Sequence, residues 1–175
     1  KIKKNLKKLI KENSQIFQSF SKNYKDQFKI KNLRIFKRFN DIRIIGIGGS
    51  SLGTKTIYSF LKDKIKKKIL FYDNLSALNQ KSGNKKHLNL IISKSGNTLE
   101  TIVNSNILIK KSDKNIFITG NKKNYLNLLA HKLKSEVVHH NNFIGGRYSV
   151  LSEVGMLPAE LMGLNSKSFR QFNNL

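Results

Sequence analysis

The chain has 175 residues, 38% of them apolar, and 34 Lys and Arg against 10 Asp and Glu give it a formal charge of +24. That is enough chain for one domain with a core. The lack of cysteine excludes disulfides and thiolate metal sites, and no apolar run approaches the roughly 18 residues of a membrane helix. The charge raises nucleic acid or an anionic membrane as a partner, but the arginines are only Arg34, Arg38, Arg43, Arg147 and Arg170, and the lysines are scattered among Asn and Ile. Such a spread is a compositional bias rather than a binding stripe, so no specific nucleic acid and no membrane partner is expected. Neither a signal peptide nor a cysteine argues for export, which makes a cytoplasmic location the expectation. The numbering opens on Lys1, so the natural start is expected to lie upstream.

Ile2, Leu6, Leu9, Ile10, Ile16, Phe17 and Phe20 recur by threes and fours, which predicts an amphipathic helix over 2–20 with a solvated Lys face. After a polar connection, the β-branched run Ile42 to Ile47 breaks into Gly48-Gly49-Ser50-Ser51-Leu52-Gly53 and then helical spacing through Ile57, Phe60 and Leu61. Strand, glycine turn and helix form one unit. The unit recurs as strand Lys68–Tyr72 with a helix around Leu75 and Leu78, and strand Leu88–Ser93 with a helix over Thr98–Ile109. Strand Asn115–Thr119 with a helix over Leu126–Leu133 follows, then strand Glu136–His139 and a loop from Asn141 to Arg147. Five short apolar strands alternating with helices require parallel crossovers and helices on both faces. The expected fold class is therefore α/β: a three-layer, doubly wound, five-stranded parallel sheet with an N-terminal helical extension. Ligands of such sheets bind beyond the carboxyl ends of the strands.

Two loops at that edge carry chemistry. The turn at 46–53 matches neither familiar phosphate fingerprint: G-x-G-x-x-G from Gly46 meets Ser51 where glycine is required, and a Walker A loop from Gly48 meets Thr54 where lysine is required. Its glycines serve at least a tight strand-to-helix turn, with Ser50 a candidate N-cap. The loop Ser93-Lys94-Ser95-Gly96-Asn97-Thr98-Leu99-Glu100-Thr101 offers three hydroxyls, an ammonium and a glycine at a strand-to-helix junction, where N–H groups and the helix dipole favour an anion. Asn97 and Glu100 have the spacing of an N-cap and its capping-box partner. Three or four charge-assisted hydrogen bonds at about 1.5–3 kcal/mol each give micromolar to millimolar affinity for a phosphate monoester. An ordinary polar turn uses the same residue types. Arg147 follows two glycines after the last strand, placed either for a surface ion pair or for the same edge. His139 and His140 are adjacent and point to opposite faces of a strand, while His87 and His131 lack ligand spacing. Neither a metal nor a cofactor is expected.

Gly46-Ile47-Gly48-Gly49-Ser50-Ser51-Leu52-Gly53, the 93–101 loop and Gly145-Gly146-Arg147-Tyr148-Ser149 together resemble, in order and spacing, the phosphoglucose isomerase family. The resemblance runs from about Asp41 to Gly163. It implies a flavodoxin-like sugar isomerase domain at 41–165, preceded by a helical segment at 1–40 and followed at 166–175 by the start of a truncated linker to a missing second domain. It also implies interconversion of glucose 6-phosphate and fructose 6-phosphate through a cis-enediol. By position, Ser93, Lys94, Ser95 and Thr98 would bind the phosphate, with Gly96 and Asn97 completing the loop and Thr101 close by. Gly49 and Ser50 would contact the sugar, and Arg147 would stabilise the charge of the intermediate. The family usually has Thr where Asn97 stands. Its general-base glutamate, ring-opening histidine and catalytic lysine lie beyond the arginine motif, so these 175 residues are expected to bind sugar phosphate without isomerising it. The full-length protein is expected to be a homodimer. Outside the enzyme class, a non-catalytic sugar-phosphate-binding module and a nucleic-acid-binding protein are the alternative readings.

Overall fold

The computed structural model describes residues 2–11, 15–75 and 86–171. Five strands, β1 (Asp41–Ile45), β2 (Lys68–Tyr72), β3 (Leu88–Ser93), β4 (Lys114–Gly120) and β5 (Glu136–His140), form one sheet in the order β2-β1-β3-β4-β5. All four pairings are parallel. The helices are α1 (Ile2–Lys11), α2 (Gln15–Phe20), α3 (Arg34–Lys37), α4 (Gly49–Phe60), α5 (Leu99–Leu108), α6 (Tyr125–Lys132) and α7 (Glu153–Leu161).

The two-residue period of a strand sorts its side chains between two cores. Ile42, Ile44, Leu88, Leu90, Ile92, Ile116, Ile118 and Val138 face one side, packed with Leu33, Phe36, Val154, Leu157 and Leu161. Ile45, Ile91 and Phe117 face the other, packed with Leu108, Leu126 and Ala130. The layers are thus α3, α4 and α7 over one face and α5 with α6 over the other. Both faces are covered, which is why β1 and β3 are buried along their whole length and are mostly apolar rather than alternating.

The N-terminal region is tied into this body. Leu33 and Phe36 belong to the first core, and Asp26 receives two hydrogen bonds from Arg170, at 2.7 and 3.0 Å. The predicted 2–20 helix takes the form of α1 and α2, with Ile2 and Leu6 exposed. The helix expected near Leu75 and Leu78 falls mostly outside the described residues, and Leu75 itself is exposed and not helical.

Arg43, inside the buried β1 strand, is held at the amino edge of the sheet. Its guanidinium donates to the Leu108 carbonyl at 3.1 Å, at the negative C-terminal end of α5, and lies 3.7 Å from Asp113. Asp113 in turn accepts from the Asn89 side chain and from the backbone N–H groups of His87 and Lys110. This polar knot lies at the end of the sheet away from the serine loop.

Candidate functional site

The strand order reverses direction between β1 and β3, since β1 leads outward to β2 while β3 leads the other way to β4 and β5. Loops leaving the carboxyl ends of two such strands diverge to opposite faces and leave a crevice between them. Here those loops are the glycine turn after β1 and the serine loop after β3. A cleft of about 570 Å³ opens at this point, lined by Ser50, Ser93, Lys94, Ser95, Thr98, Gly120, Lys122 and Asn142.

The serine loop is held by its own side chains. Ser93 Oγ lies 2.9 Å from Thr98 Oγ1, and Ser95 Oγ lies 3.2 Å from Thr98 Oγ1 and 3.3 Å from Ser93 Oγ. Ser93 Oγ also accepts from the Gly96 N–H, and Ser95 Oγ from the Asn97 N–H. Three hydroxyls gathered this closely share donors and acceptors, so each can turn an O–H outward when an anion arrives. Gly96 takes φ +68, and a Cβ there would stand 2.1 Å from Cγ of Asn124. Glycine is required at this turn on both counts. Lys94 Nζ donates to the Ile144 carbonyl at 3.1 Å, which leaves two N–H groups for a ligand.

The capping-box expectation at Asn97 and Glu100 is corrected. Thr98 occupies the N-cap position of α5 without a side-chain cap bond, and Asn97 Oδ1 instead accepts from the Tyr125 N–H at 2.9 Å, at the first turn of α6. The amide thus ties the serine loop to the next helix, a partner 28 residues away that local spacing cannot reveal. Ser50 likewise is not an N-cap. Gly48, at φ +57, holds that position, and Ser50 sits inside the first turn of α4 facing the cleft.

The third loop meets the first backbone to backbone. A Cβ on Gly49 would lie 2.5 Å from the carbonyl carbon of Gly146, and Ser149 Oγ donates to the Gly49 carbonyl at 3.2 Å. Arg147 follows Gly146 directly, in a single 3-10 turn, and is exposed. Gly49 and Arg147 stand beside the cleft rather than in its lining. Thr101 is buried in the first turn of α5, its hydroxyl without a hydrogen-bond partner among the described residues, and it does not line the cleft.

The family model for phosphoglucose isomerase matches residues 4–174. The chain belongs to the phosphoglucose isomerase family. It is 37% identical over 166 residues to glucose-6-phosphate isomerase of Mycoplasma genitalium, an alignment that covers 81% of this chain and 38% of the relative. The glucose-6-phosphate isomerase of Methanocaldococcus jannaschii is 33% identical over 158 residues, with the same two coverages. The chain therefore spans well under half the length of these relatives. Among solved structures, a protein from Thermus thermophilus superposes with a TM-score of 0.68 at 23% identity, over 79% of this chain and 38% of that one. The tagatose-6-phosphate ketose/aldose isomerase of Escherichia coli gives a TM-score of 0.59 at 16% identity, over 81% of this chain and 45% of that one, which is a likeness of fold.

Gly120, Lys122 and Asn142 are cleft residues that the motif reading passed over. The rule about carboxyl ends pointed to them, because Gly120 ends β4 and Asn142 follows β5. Their residue types do not stand out in a Lys- and Asn-rich sequence. No helix among the described residues is long and apolar enough to cross a membrane.

Proposed function

We propose that the cleft grips the phosphate of a hexose 6-phosphate and that the chain supplies this grip to the interconversion of glucose 6-phosphate and fructose 6-phosphate. The observation that carries this reading is the convergence of Ser93, Ser95, Thr98 and Lys94 on one crevice at the reversal of strand order, in a member of this family. Lys122, Ser50 and Asn142 add a second cation and further polar groups around the same space. The phosphate sits among hydroxyls and ammonium groups that strengthen their hydrogen bonds with its charge. The sugar extends toward Gly49 and Ser50. Arg147, exposed on the adjoining loop, turns its guanidinium to the enediolate oxygens and stabilises the charge that develops there.

Moving a proton between C1 and C2 needs a base, and no carboxylate or imidazole lines the cleft among the described residues. On this reading the 175 residues bind sugar phosphate and leave the chemistry to groups elsewhere in the whole protein, which works in the cytoplasm as a homodimer. Isothermal titration of the chain with glucose 6-phosphate and fructose 6-phosphate tests the binding, and a coupled assay tests turnover. Binding in the micromolar to millimolar range without conversion is the expected pair of results. No saturable binding below about 10 mM, where a designed anion grip still registers, would sink the reading. So would conversion by the chain alone that disappears in R147A, since it would place a base within these residues.

A further inference from the structure

The turn after β4 carries two of the cleft residues, Gly120 and Lys122, and the first turn of α6 holds it in place. Within the turn, the Lys122 N–H donates to the Gly120 carbonyl at 2.9 Å. The Lys122 carbonyl accepts from the side-chain amide of Asn127 at 2.7 Å and from that of Asn124 at 3.0 Å. The second hydrogen of the Asn127 amide goes to the Gly120 carbonyl at 3.1 Å. Carbonyls only accept, so two of them on one amide fix its orientation with Nδ2 toward the turn. Both backbone groups of Lys122 are thereby engaged, although the residue is exposed.

The same end of α6 also holds the serine loop. The Tyr125 N–H donates to Asn97 Oδ1 at 2.9 Å and the Leu126 N–H to the Gly96 carbonyl at 3.1 Å, while the Asn127 N–H donates to the Asn124 cap. The N–H groups that a helix start leaves unpaired are thus spent on the two loops and the cap. Asn124 serves both loops, since a Cβ on Gly96 would stand 2.1 Å from its Cγ, and changing it disturbs both. The side chain of Asn127 donates only to the 120–122 turn among the described residues, so it can be altered without touching the serine loop.

We infer that Asn127 is a positioning residue of the anion cleft: its amide holds the 120–122 turn so that Lys122 stands at the cleft, and it acts on anion binding through Lys122. A chain with a formal charge of +24 has no shortage of cations. An exposed lysine at an arbitrary place contributes little, because salt screens it and its stem must be ordered for each contact. Pinning the backbone at both the N–H and the C=O removes part of that ordering cost before the anion arrives. Lys123, the next residue, is also exposed but does not line the cleft. Position rather than charge separates these two lysines. This inference rests on the anion-binding reading of the cleft.

The test titrates the 175-residue chain and its N127A, K122A, K122A/N127A and K123A variants with sodium sulfate at neutral pH and constant ionic strength, with glucose 6-phosphate alongside. N127A keeps the α6 cap, to which Asn127 contributes its backbone N–H, and places the best helix former in a helix, so it is expected to fold. N127A and K122A are each expected to bind sulfate about threefold more weakly than the parent, the scale of one exposed charge contact, and the double variant no more weakly than K122A. K123A is expected to bind as the parent does. A merely structural role for Asn127 would lower affinity in the K122A background as much as in the parent, and that additive result overturns the proposal. So does N127A binding like the parent, or K123A losing as much as K122A. Backbone ¹⁵N relaxation of the parent gives a readout that needs no variant: the Lys122 amide is expected to be as rigid as those of β4, and a mobile turn overturns the proposal. In each of these cases sulfate still binds and the anion cleft stands. No binding of sulfate or glucose 6-phosphate by the parent overturns the cleft and this inference with it. Should N127A fail to fold, the relaxation data and the comparison of K122A with K123A still decide.

Discussion

Gly96→Ala tests whether the serine loop depends on its one left-handed residue. At φ +68 an alanine pays the steric cost of the left-handed region, about 1–2 kcal/mol. Its Cβ would stand 2.1 Å from Cγ, 2.2 Å from Oδ1 and 2.6 Å from Nδ2 of Asn124, so that side chain must leave. Asn124 Oδ1 caps α6 by accepting from the Asn127 N–H at 2.9 Å, and its Nδ2 donates to the Lys122 carbonyl at 3.0 Å. Losing the cap adds about 1 kcal/mol. The sum is a destabilisation of about 2–3 kcal/mol, accompanied by displacement of both Ser95 and Lys122 at the cleft. Gly163 supplies the control, since it has φ +92 with nothing within 4 Å of a built Cβ, so Gly163→Ala carries only the backbone cost. Urea unfolding of the three proteins at pH 7, with sulfate titrations beside it, measures the difference. If Gly96→Ala costs no more than Gly163→Ala and binds sulfate as the parent does, the tie between the loop and Asn124 has been misread.

Gly49→Ala drives a Cβ into the Gly146 backbone at 2.5 Å, which no rotamer relieves, so it should separate the glycine turn from the arginine loop, lower stability by about 2 kcal/mol or more and weaken sugar phosphate binding in the same titration. Lys122→Ala removes an exposed cation from the cleft rim and should weaken sulfate binding a fewfold, less so at high salt, with unfolding free energy unchanged within about 0.5 kcal/mol. Glu153 and Glu160 both have pKa values below the ordinary carboxylate range. For each, burial pushes upward and is outweighed by hydrogen bonds, from His140, Tyr24 and Gln27 at Glu153 and from Lys37 and Ser166 at Glu160. A depressed folded value adds stability above the unfolded pKa of about 4.3 and loses it as pH falls through the folded value. Thermal midpoints should therefore drop on acidification below about pH 4.5, and Glu160→Gln should melt lower at pH 7 with a shallower acid limb. An equally steep limb in that variant would remove Glu160 from the account.

The architecture was legible because it follows from local patterning. Runs such as Ile42 to Ile45 and Leu88 to Ile92 are apolar at every position but one, as only strands covered on both faces can be, and the helical spacing between them requires right-handed crossovers. The serine loop was legible for the same reason, since its hydroxyls, lysine and glycine are consecutive. Asn97 was misassigned because capping spacing is a local signal and its partner, Tyr125, lies on another helix. His140 was set aside because two adjacent histidines in a strand carry no ligand pattern. Only the tertiary structure brings Glu153 of α7 and the Ile144 carbonyl to its two nitrogens.

By itself, then, the sequence determined the five strands, the helices that follow β1, β3 and β4, and that a run of hydroxyls with a lysine and a glycine leaves the end of β3. Tertiary structure alone decided that β1 and β3 are neighbours at the reversal of strand order, that Gly49 rests on Gly146, and that Lys122 and Asn142 complete the cleft. The physical reason is that period and propensity act over one or two turns of chain, while a cleft is made of positions that only the packing of distant strands brings together.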